Sequence, residues 1–235
     1  MRAVILAGGK GTRLKPYTTT IPKPLVPLGD RSILEILIHR LAKSGCERAT
    51  LTVGHMAELI MAYFGDGSKW GLPLDYSIED APLSTIGPLK LIDDLPDHFL
   101  VANGDLLTDL DFADLYRSHV ESGADGTVAV YRREVKIDFG VLGYDQETGR
   151  VTSFVEKPTE RFTVSMGIYA FSRKMLDLVP DGRPFGFDDL MLASIDRGLD
   201  VRVYPYDGYW LDIGRPDDYD RANNDFEDMR DKLLG

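Results

Sequence analysis

The chain opens Met1-Arg2-Ala3-Val4-Ile5-Leu6-Ala7-Gly8-Gly9-Lys10-Gly11-Thr12-Arg13-Leu14, and no other stretch constrains the fold as tightly. A short, wholly apolar run from Ala3 to Ala7 reads as a strand buried on both faces, the kind found in parallel sheets. It feeds directly into glycines, whose freedom permits a tight turn and lets a bulky anion approach the backbone N–H groups. Arg2, Lys10, Arg13, Lys15 and Lys23 all precede the first acidic residue, Asp30. A parallel strand, a glycine turn and clustered cations describe an anion site, with a nucleotide phosphate as the expected anion. Two familiar loops are excluded. The P-loop needs Gly-x4-Gly-Lys-Ser/Thr, but Lys10 lies between glycines. The dinucleotide pattern Gly-x-Gly-x-x-Gly starts at Gly9-Lys10-Gly11 and then meets Leu14 where its third glycine belongs.

Composition narrows the partners. At 235 residues and a net charge of −11, the chain is large enough for a good core and too acidic for a nucleic-acid or anionic-membrane surface. Cys46 is the only cysteine, which excludes an internal disulfide and points to a reducing compartment. The apolar start is too short for a secretory leader and no stretch has membrane-spanning length. A cytoplasmic location is expected.

Along the chain, Ser32-Ile33-Leu34-Glu35 has capping-box spacing ahead of a helix running to Gly45. His39 falls in that helix and is expected at the surface. Strands are expected at Ala49 to Val53, Leu74 to Ile78 and Phe99 to Ala102, with a helix from Met56 to Phe64. His55, at a strand end, is read as structural. Asp111 should cap a helix through Val120. Thr127 to Tyr131, Phe139 to Tyr144, Val151 to Val155 and Gly167 to Phe171 read as further strands. Helical stretches follow near Lys174 to Leu178 and Phe187 to Ile195. Val201 to Tyr204 alternates like a strand, and a closing amphipathic helix spans Pro216 to Leu234. The fold class is α/β: a Rossmann-like mixed, mainly parallel sheet flanked by helices, with a smaller antiparallel lobe. One domain over residues 1–235 is expected, with halves of about 1–120 and 121–235.

The opening string, followed by Pro22-Lys23-Pro24-Leu25, resembles the start of the sugar-1-phosphate nucleotidyltransferases. Later blocks extend the resemblance: Asn103-Gly104-Asp105, Phe139-Gly140-Val141, Glu156-Lys157-Pro158, Ser165-Met166-Gly167-Ile168-Tyr169 and Tyr209-Trp210-Leu211-Asp212-Ile213-Gly214. The resemblance implies transfer of a nucleoside monophosphate from an NTP to a sugar-1-phosphate, with pyrophosphate leaving. Such a displacement needs positioning and charge neutralisation more than a strong base. It implies Arg13 and Lys23 as catalytic cations. Leu6, Gly8, Gly9, Gly11, Thr12, Arg13 and Gly87 would bind nucleotide; Gly140, Glu156, Lys157 and Ser165 would bind the sugar phosphate. Asp105 and Asp212 would hold Mg²⁺, which favours one or two carboxylates completed by phosphates and water. The half up to about residue 120 would take the nucleotide, and the later half with its antiparallel lobe the sugar. No C-terminal β-helix is expected, and a homo-oligomer stays open.

Pro82-Leu83-Ser84-Thr85-Ile86-Gly87-Pro88-Leu89 is similar to the base-proximal loop of mannose-1-phosphate guanylyltransferases, with Ser84 where Gly is usual and Ile86 where Ala is usual. A larger side chain at Ile86 would reshape the base pocket. GTP with mannose-1-phosphate or heptose-1-phosphate is the favoured pair. Uridylyl, thymidylyl, cytidylyl or adenylyl transfer to glucose-1-phosphate or a related sugar phosphate stays open. A non-catalytic regulatory subunit of the same fold is the alternative from another class; such proteins tend to lose the Arg, Lys or metal aspartates, and here all are present.

Overall fold

A computed structural model describes all residues, 1–235. Strand β1 (Arg2–Leu6) feeds into the glycine loop, and two short strands, β2 (Pro27–Leu28) and β3 (Arg31–Ser32), lead into helix α1 (Ile33–Lys43). Ser32 caps α1 by accepting the Glu35 N–H at 3.3 Å. The other half of the expected capping box is not made, because the Glu35 carboxylate is taken by Arg31 and by the Tyr63 hydroxyl. Strand β4 (Arg48–Val53), helix α2 (Ala57–Phe64) and strand β5 (Leu74–Ile78) follow, then β6 (His98–Asn103) and the three-residue β7 (Leu106–Thr108). Helix α3 (Phe112–Ser122) is capped by Asp111 and closed by Gly123 at φ +65°, a conformation that favours glycine.

The later half holds β8 (Gly126–Lys136), the hairpin β9 (Val141–Tyr144) and β10 (Val151–Val155), and the 14-residue β11 (Thr159–Ser172). Helix α4 (Phe187–Asp196), β12 (Val201–Tyr206), β13 (Trp210–Asp212) and helix α5 (Pro216–Leu234) complete it. The stretch expected to be helical near Lys174 is a 3-10 segment, Arg173–Leu178. β8 and β11 both run well past their expected ends.

Seven strands form one sheet in the order β12-β8-β11-β6-β1-β4-β5. All run the same way except β11, which is antiparallel to both β6 and β8. From β1 the chain builds outward through β4 and β5, then crosses back to lay β6 on the other side. The strand order therefore reverses between β1 and β6, where open α/β sheets bind ligands. Ala3 and Ile5 pack in the core beneath one face, Val4 in the core beneath the other. Burial on both faces explains why β1 reads as an unbroken apolar run.

Helix α1 buries two stripes: Leu34, Leu37, Ile38 and Leu41 face the sheet, while Ile33 and Ile36 join Ala222, Phe226 and Leu233 of α5. Each such side chain contributes roughly 1.5–3 kcal/mol on full burial. His39, expected at the surface, is half-buried because its Nε2 pairs with the Leu234 carbonyl at 2.8 Å. Arg40 donates to the Asp109, Leu110 and Lys232 carbonyls, so α1 also ties α5 to the segment after β7.

Candidate active site

The end of β1 is stitched to both neighbours. Ala7 N–H donates to the Thr52 carbonyl at 2.9 Å, and Gly104 N–H donates to the Leu6 carbonyl at 2.9 Å. Above this seam lies a cleft of about 840 Å³ whose lining includes residues 6–13, Lys23, His55, Glu79, Thr85 and Asp105. Its floor is backbone for a steric reason. A Cβ on Gly8 would clash with Glu79 Oε1, and Gly11 stands at φ +60° with its carbonyl held by Thr18 Oγ1 at 2.7 Å. A Cβ on Gly9 would meet nothing within 4 Å, so the space over that residue opens to the cleft. Thr12, Arg13 and Lys10 are exposed there, and neither Arg13 nor Lys10 has an ion-pair partner. Two free cations over a floor rich in N–H groups make a site for several phosphate charges.

Lys23 differs from them. Flanked by Pro22 and Pro24 in a 3-10 turn, it is buried, and its ammonium pairs with Asp105 Oδ2. Asp105 Oδ1 is buried without a hydrogen-bond partner. Asp212 arrives from more than a hundred residues away through the β7–β13 ladder, which sets it opposite Leu106; the next N–H, of Ile213, donates to the Asp105 carbonyl at 3.1 Å. A Cβ on Gly214 would lie 3.7 Å from Asp212 Oδ2 and 3.8 Å from Arg13 Nη2. Arg13 and Asp105 therefore line one end of the cleft, and Asp212 stands next to them behind the cleft-lining Gly214. The surrounding walls, and then the Asp105 charge, raise the Asp212 carboxyl above its ordinary pKa, with Lys23 and Arg13 offsetting in part.

Nowhere do three or more His, Cys, Asp or Glu side chains converge as a metal cage. Two carboxylates, one with an orphaned buried oxygen, are nonetheless the donor set that suits Mg²⁺ when phosphates and water complete its shell.

The sugar-side residues occupy a different place. Gly140, Glu156 and Lys157 gather around the β9–β10 hairpin: a Cβ on Gly140 would lie 3.1 Å from Glu156 Oε2, and Lys157, at φ +45°, is 4.0 Å from Glu156 Oε1. All three are exposed and none lines the cleft. Ser165 stands at the bulge of β11, where its Oγ accepts the Gly167 N–H at 3.2 Å. Gly167, at φ +73°, lies against the cleft-lining Asn103, 2.5 Å from Asn103 Nδ2 to an ideal Cβ.

Gly87 and Ile86 lie inside the loop, away from the cleft lining. Both are buried, both N–H groups donate to the Phe185 carbonyl (3.0 and 2.9 Å), and Ile86 belongs to the core under the sheet. Neither lines the cleft; Ser84 and Thr85 do. Gly87 is glycine because a Cβ would press on Leu83 Cβ at 2.9 Å and the Arg183 carbonyl at 3.1 Å.

Of two further cleft residues, Glu79 escaped the sequence reading and His55 was read as structural. Glu79 directly follows β5, and burial raises its carboxyl pKa against the opposing effect of the Leu83 N–H, which donates to Oε2 at 3.1 Å. His55 lines the cleft beside Gly8. Both follow the carboxyl ends of parallel strands, and that placement was the available signal.

A family model described as Nucleotidyl transferase matches residues 2–229. The chain is 35% identical over 242 residues to a UTP–glucose-1-phosphate uridylyltransferase of Synechocystis sp., covering 94% of this chain and 62% of that protein. It is 36% identical over 234 residues to a mannose-1-phosphate guanylyltransferase of Mycobacterium tuberculosis, covering 95% and 64%. The chain thus spans just over three-fifths of the length of these curated relatives. The crystal structure of HddC from Yersinia pseudotuberculosis superposes with a TM-score of 0.74 at 29% identity, covering 96% of this chain and 99% of that one. HddC complexed with GMP-PN gives 0.71 at 28%. No helix is long and apolar enough to cross a membrane. With its family matched over nearly every residue, and with curated relatives that are sugar-1-phosphate nucleotidyltransferases, the chain belongs to the nucleotidyl transferase family.

Proposed function

We propose that this protein transfers a nucleoside monophosphate from an NTP to a sugar-1-phosphate with release of pyrophosphate, that it does so with Mg²⁺, and that GTP is its nucleotide. The observation that carries the reading is the meeting of Asp105, Asp212, Lys23 and Arg13 at one end of a glycine-floored cleft. In the reaction, a sugar-phosphate oxygen attacks the α-phosphorus in line with the departing pyrophosphate. The nucleophile is already an anion, so no strong base is required. Arg13 and Lys10 offset the charge that builds on the leaving group. Lys23, held by Asp105, presents a fixed positive charge at the reacting phosphate. Mg²⁺, when bound between Asp105 and Asp212, would polarise phosphate oxygens as a Lewis acid. Glu156, Lys157, Gly140 and Ser165 receive the sugar phosphate, with mannose- or heptose-type sugars favoured.

The guanine reading rests on Glu79. Its Oε2 accepts from Leu83, while Oε1 makes no hydrogen bond within the protein and borders the cleft beside Gly8. A carboxylate is acceptor-only. Guanine presents adjacent N1–H and N2–H₂ donors, which suit it. Uracil and thymine offer one N–H between two carbonyls that a carboxylate repels. The mannose-1-phosphate guanylyltransferase relatives and the HddC complex with GMP-PN lean the same way.

The test is pyrophosphate release from five NTPs against a panel of sugar-1-phosphates, with and without a magnesium chelator. Chelator-sensitive release with GTP is expected. Release with UTP alone would move the base assignment to the uridylyl relative's side, and silence across the panel would make the chain a binding subunit.

A further inference from the structure

Backbone strain singles out a residue with no part in the chemistry described so far. Eleven glycines stand at positive φ, from +55° to +80°, and only three other residues join them: Met56 at +55°, Ser84 at +66° and Lys157 at +45°. The left-handed region is costly for a residue with a Cβ and open to glycine. All three exceptions sit at the site. Met56 directly follows the cleft-lining His55, Lys157 belongs to the sugar-side group, and Ser84 itself lines the cleft. The cause of the turn at Ser84 is visible. Phe185 N–H donates to the Leu83 carbonyl at 2.9 Å, and the Phe185 carbonyl accepts the N–H groups of Ile86 and Gly87 at 2.9 and 3.0 Å. Pinned on both sides, residues 84–85 must reverse the chain, and such surroundings hold a strained residue in place. Glycine would meet that demand without strain. The serine hydroxyl does nothing for the fold: Ser84 is exposed, and its Oγ makes no hydrogen bond within the protein.

The neighbours define what that hydroxyl meets. One residue back, the Leu83 N–H donates to Glu79 Oε2 at 3.1 Å, so Ser84 is held beside the carboxylate assigned to the base. Glu79 and Asp80 bring two carboxylates to this end without an ion-pair partner, whereas Lys10 and Arg13 belong to the glycine loop and Lys23 pairs with Asp105. A triphosphate is drawn to those cations, which leaves the uncharged base at Ser84. Among the lining residues between 79 and 84, namely Glu79, Asp80, Ala81, Pro82 and Ser84, only Ser84 has a side chain that donates a hydrogen bond. A carboxylate that accepts guanine N1–H leaves the adjacent O6 in need of a donor. We propose, on the reading of Glu79 given above, that Ser84 is a specificity-determining residue whose hydroxyl donates to the base carbonyl next to the N–H that Glu79 accepts, O6 in guanine.

The experiment is calorimetric binding of GTP and of 6-thio-GTP, with Mg²⁺, to the wild type, Ser84→Gly and Ser84→Ala. The thio analogue keeps N1–H and the 2-amino group and replaces O6 by a poor acceptor. The wild type should bind GTP about three- to tenfold more tightly than 6-thio-GTP, the scale of one neutral hydrogen bond. Both variants should weaken GTP by about that factor and leave 6-thio-GTP little changed. Melting curves without nucleotide separate this from a structural role: Ser84→Gly relieves the positive φ and should melt at or above the wild type. GTP bound equally by all three proteins overturns the proposal. So does a loss that GTP and 6-thio-GTP share, or weaker binding that accompanies a lower melting point in Ser84→Gly. The guanine reading fails separately, if the wild type binds UTP more tightly than GTP. UTP and 4-thio-UTP then take the three proteins through the same comparison, with O4 beside N3–H.

Discussion

Asp212→Asn separates the chemical role proposed for this carboxylate from its effect on stability. The substitution keeps the shape and one acceptor oxygen and removes the charge. In the folded protein the Asp212 carboxyl titrates above its ordinary 3.8, first because the cleft walls desolvate it and then because Asp105 is near. A raised acid binds more protons folded than unfolded. It leaves stability untouched at pH below 3.8 and lowers it progressively as pH rises through the folded value. At neutral pH the carboxylate therefore costs stability. Asp212 remains exposed, so solvent screening limits the cost to roughly 0.5–1 kcal/mol. In a domain of this length that is about 1–4 °C in Tm. The Asn variant should melt that much higher at neutral pH, the two curves should converge as pH falls towards 3.8, and turnover should drop at least ~100-fold. Adding Mg²⁺ with GTP should raise the wild-type midpoint more than the variant's, by linkage. Differential scanning fluorimetry across pH and a pyrophosphate-release assay read both sides. A variant that melts lower at neutral pH, or that turns over at the wild-type rate, refutes the convergence of Asp105 and Asp212 on one reacting centre.

Arg13→Ala should lower turnover by at least ~100-fold while moving Tm little, since Arg13 has no protein partner to lose; steady-state kinetics with a melting curve checks both. Lys23→Ala should also cut turnover about 100-fold and lower Tm besides, because it strands the largely buried Asp105 carboxylate; equal Tm values for the two variants would contradict the pairing. Glu79→Gln should reduce the preference for GTP over UTP by about 10- to 100-fold, the scale of one base-edge contact, as read from kcat/KM ratios. His119 is buried between His98 and Thr127, and its pKa is pushed down to about 4 by desolvation and by His98. Stability should therefore fall by up to about 3 kcal/mol as pH drops from 6.5 to about 4. Denaturant unfolding of His119→Gln should show that slope flattened.

The parallel part of the sheet and helices α3 and α5 were legible because their signals are local. β1 and the interior of β6 are apolar runs, β4 and β5 set apolar residues among short polar ones, Asp111 and Gly123 mark both ends of α3, and Pro216 opens α5 where expected. The β7–β13 ladder was not legible. Three residues on each strand carry no period, and their pairing joins segments about a hundred positions apart. Asp212 was found only through the resemblance of its block, and the reason it matters, its place beside Asp105, came from that ladder. The distal parts of β8 and β11 escaped notice because exposed residues on both faces leave no inside–outside alternation to read. The placement of Gly87 and Ile86 within their loop was not legible for a related reason. A motif says that a loop is present without saying which residues turn inward, and here the answer depends on Phe185.

The anchoring of residues 83–87 has a practical consequence for anyone wishing to test the proposed base pocket by loop exchange. Phe185 N–H donates to the Leu83 carbonyl at 2.9 Å, and Phe187 N–H donates to Thr85 Oγ1 at 3.0 Å. The loop that brings Ser84 and Thr85 to the cleft is thus tethered to a segment encoded a hundred codons downstream. A graft of residues 80–87 alone would arrive without its mooring, whereas exchanging 80–87 and 183–187 as one cassette would carry the pocket wall and its support together.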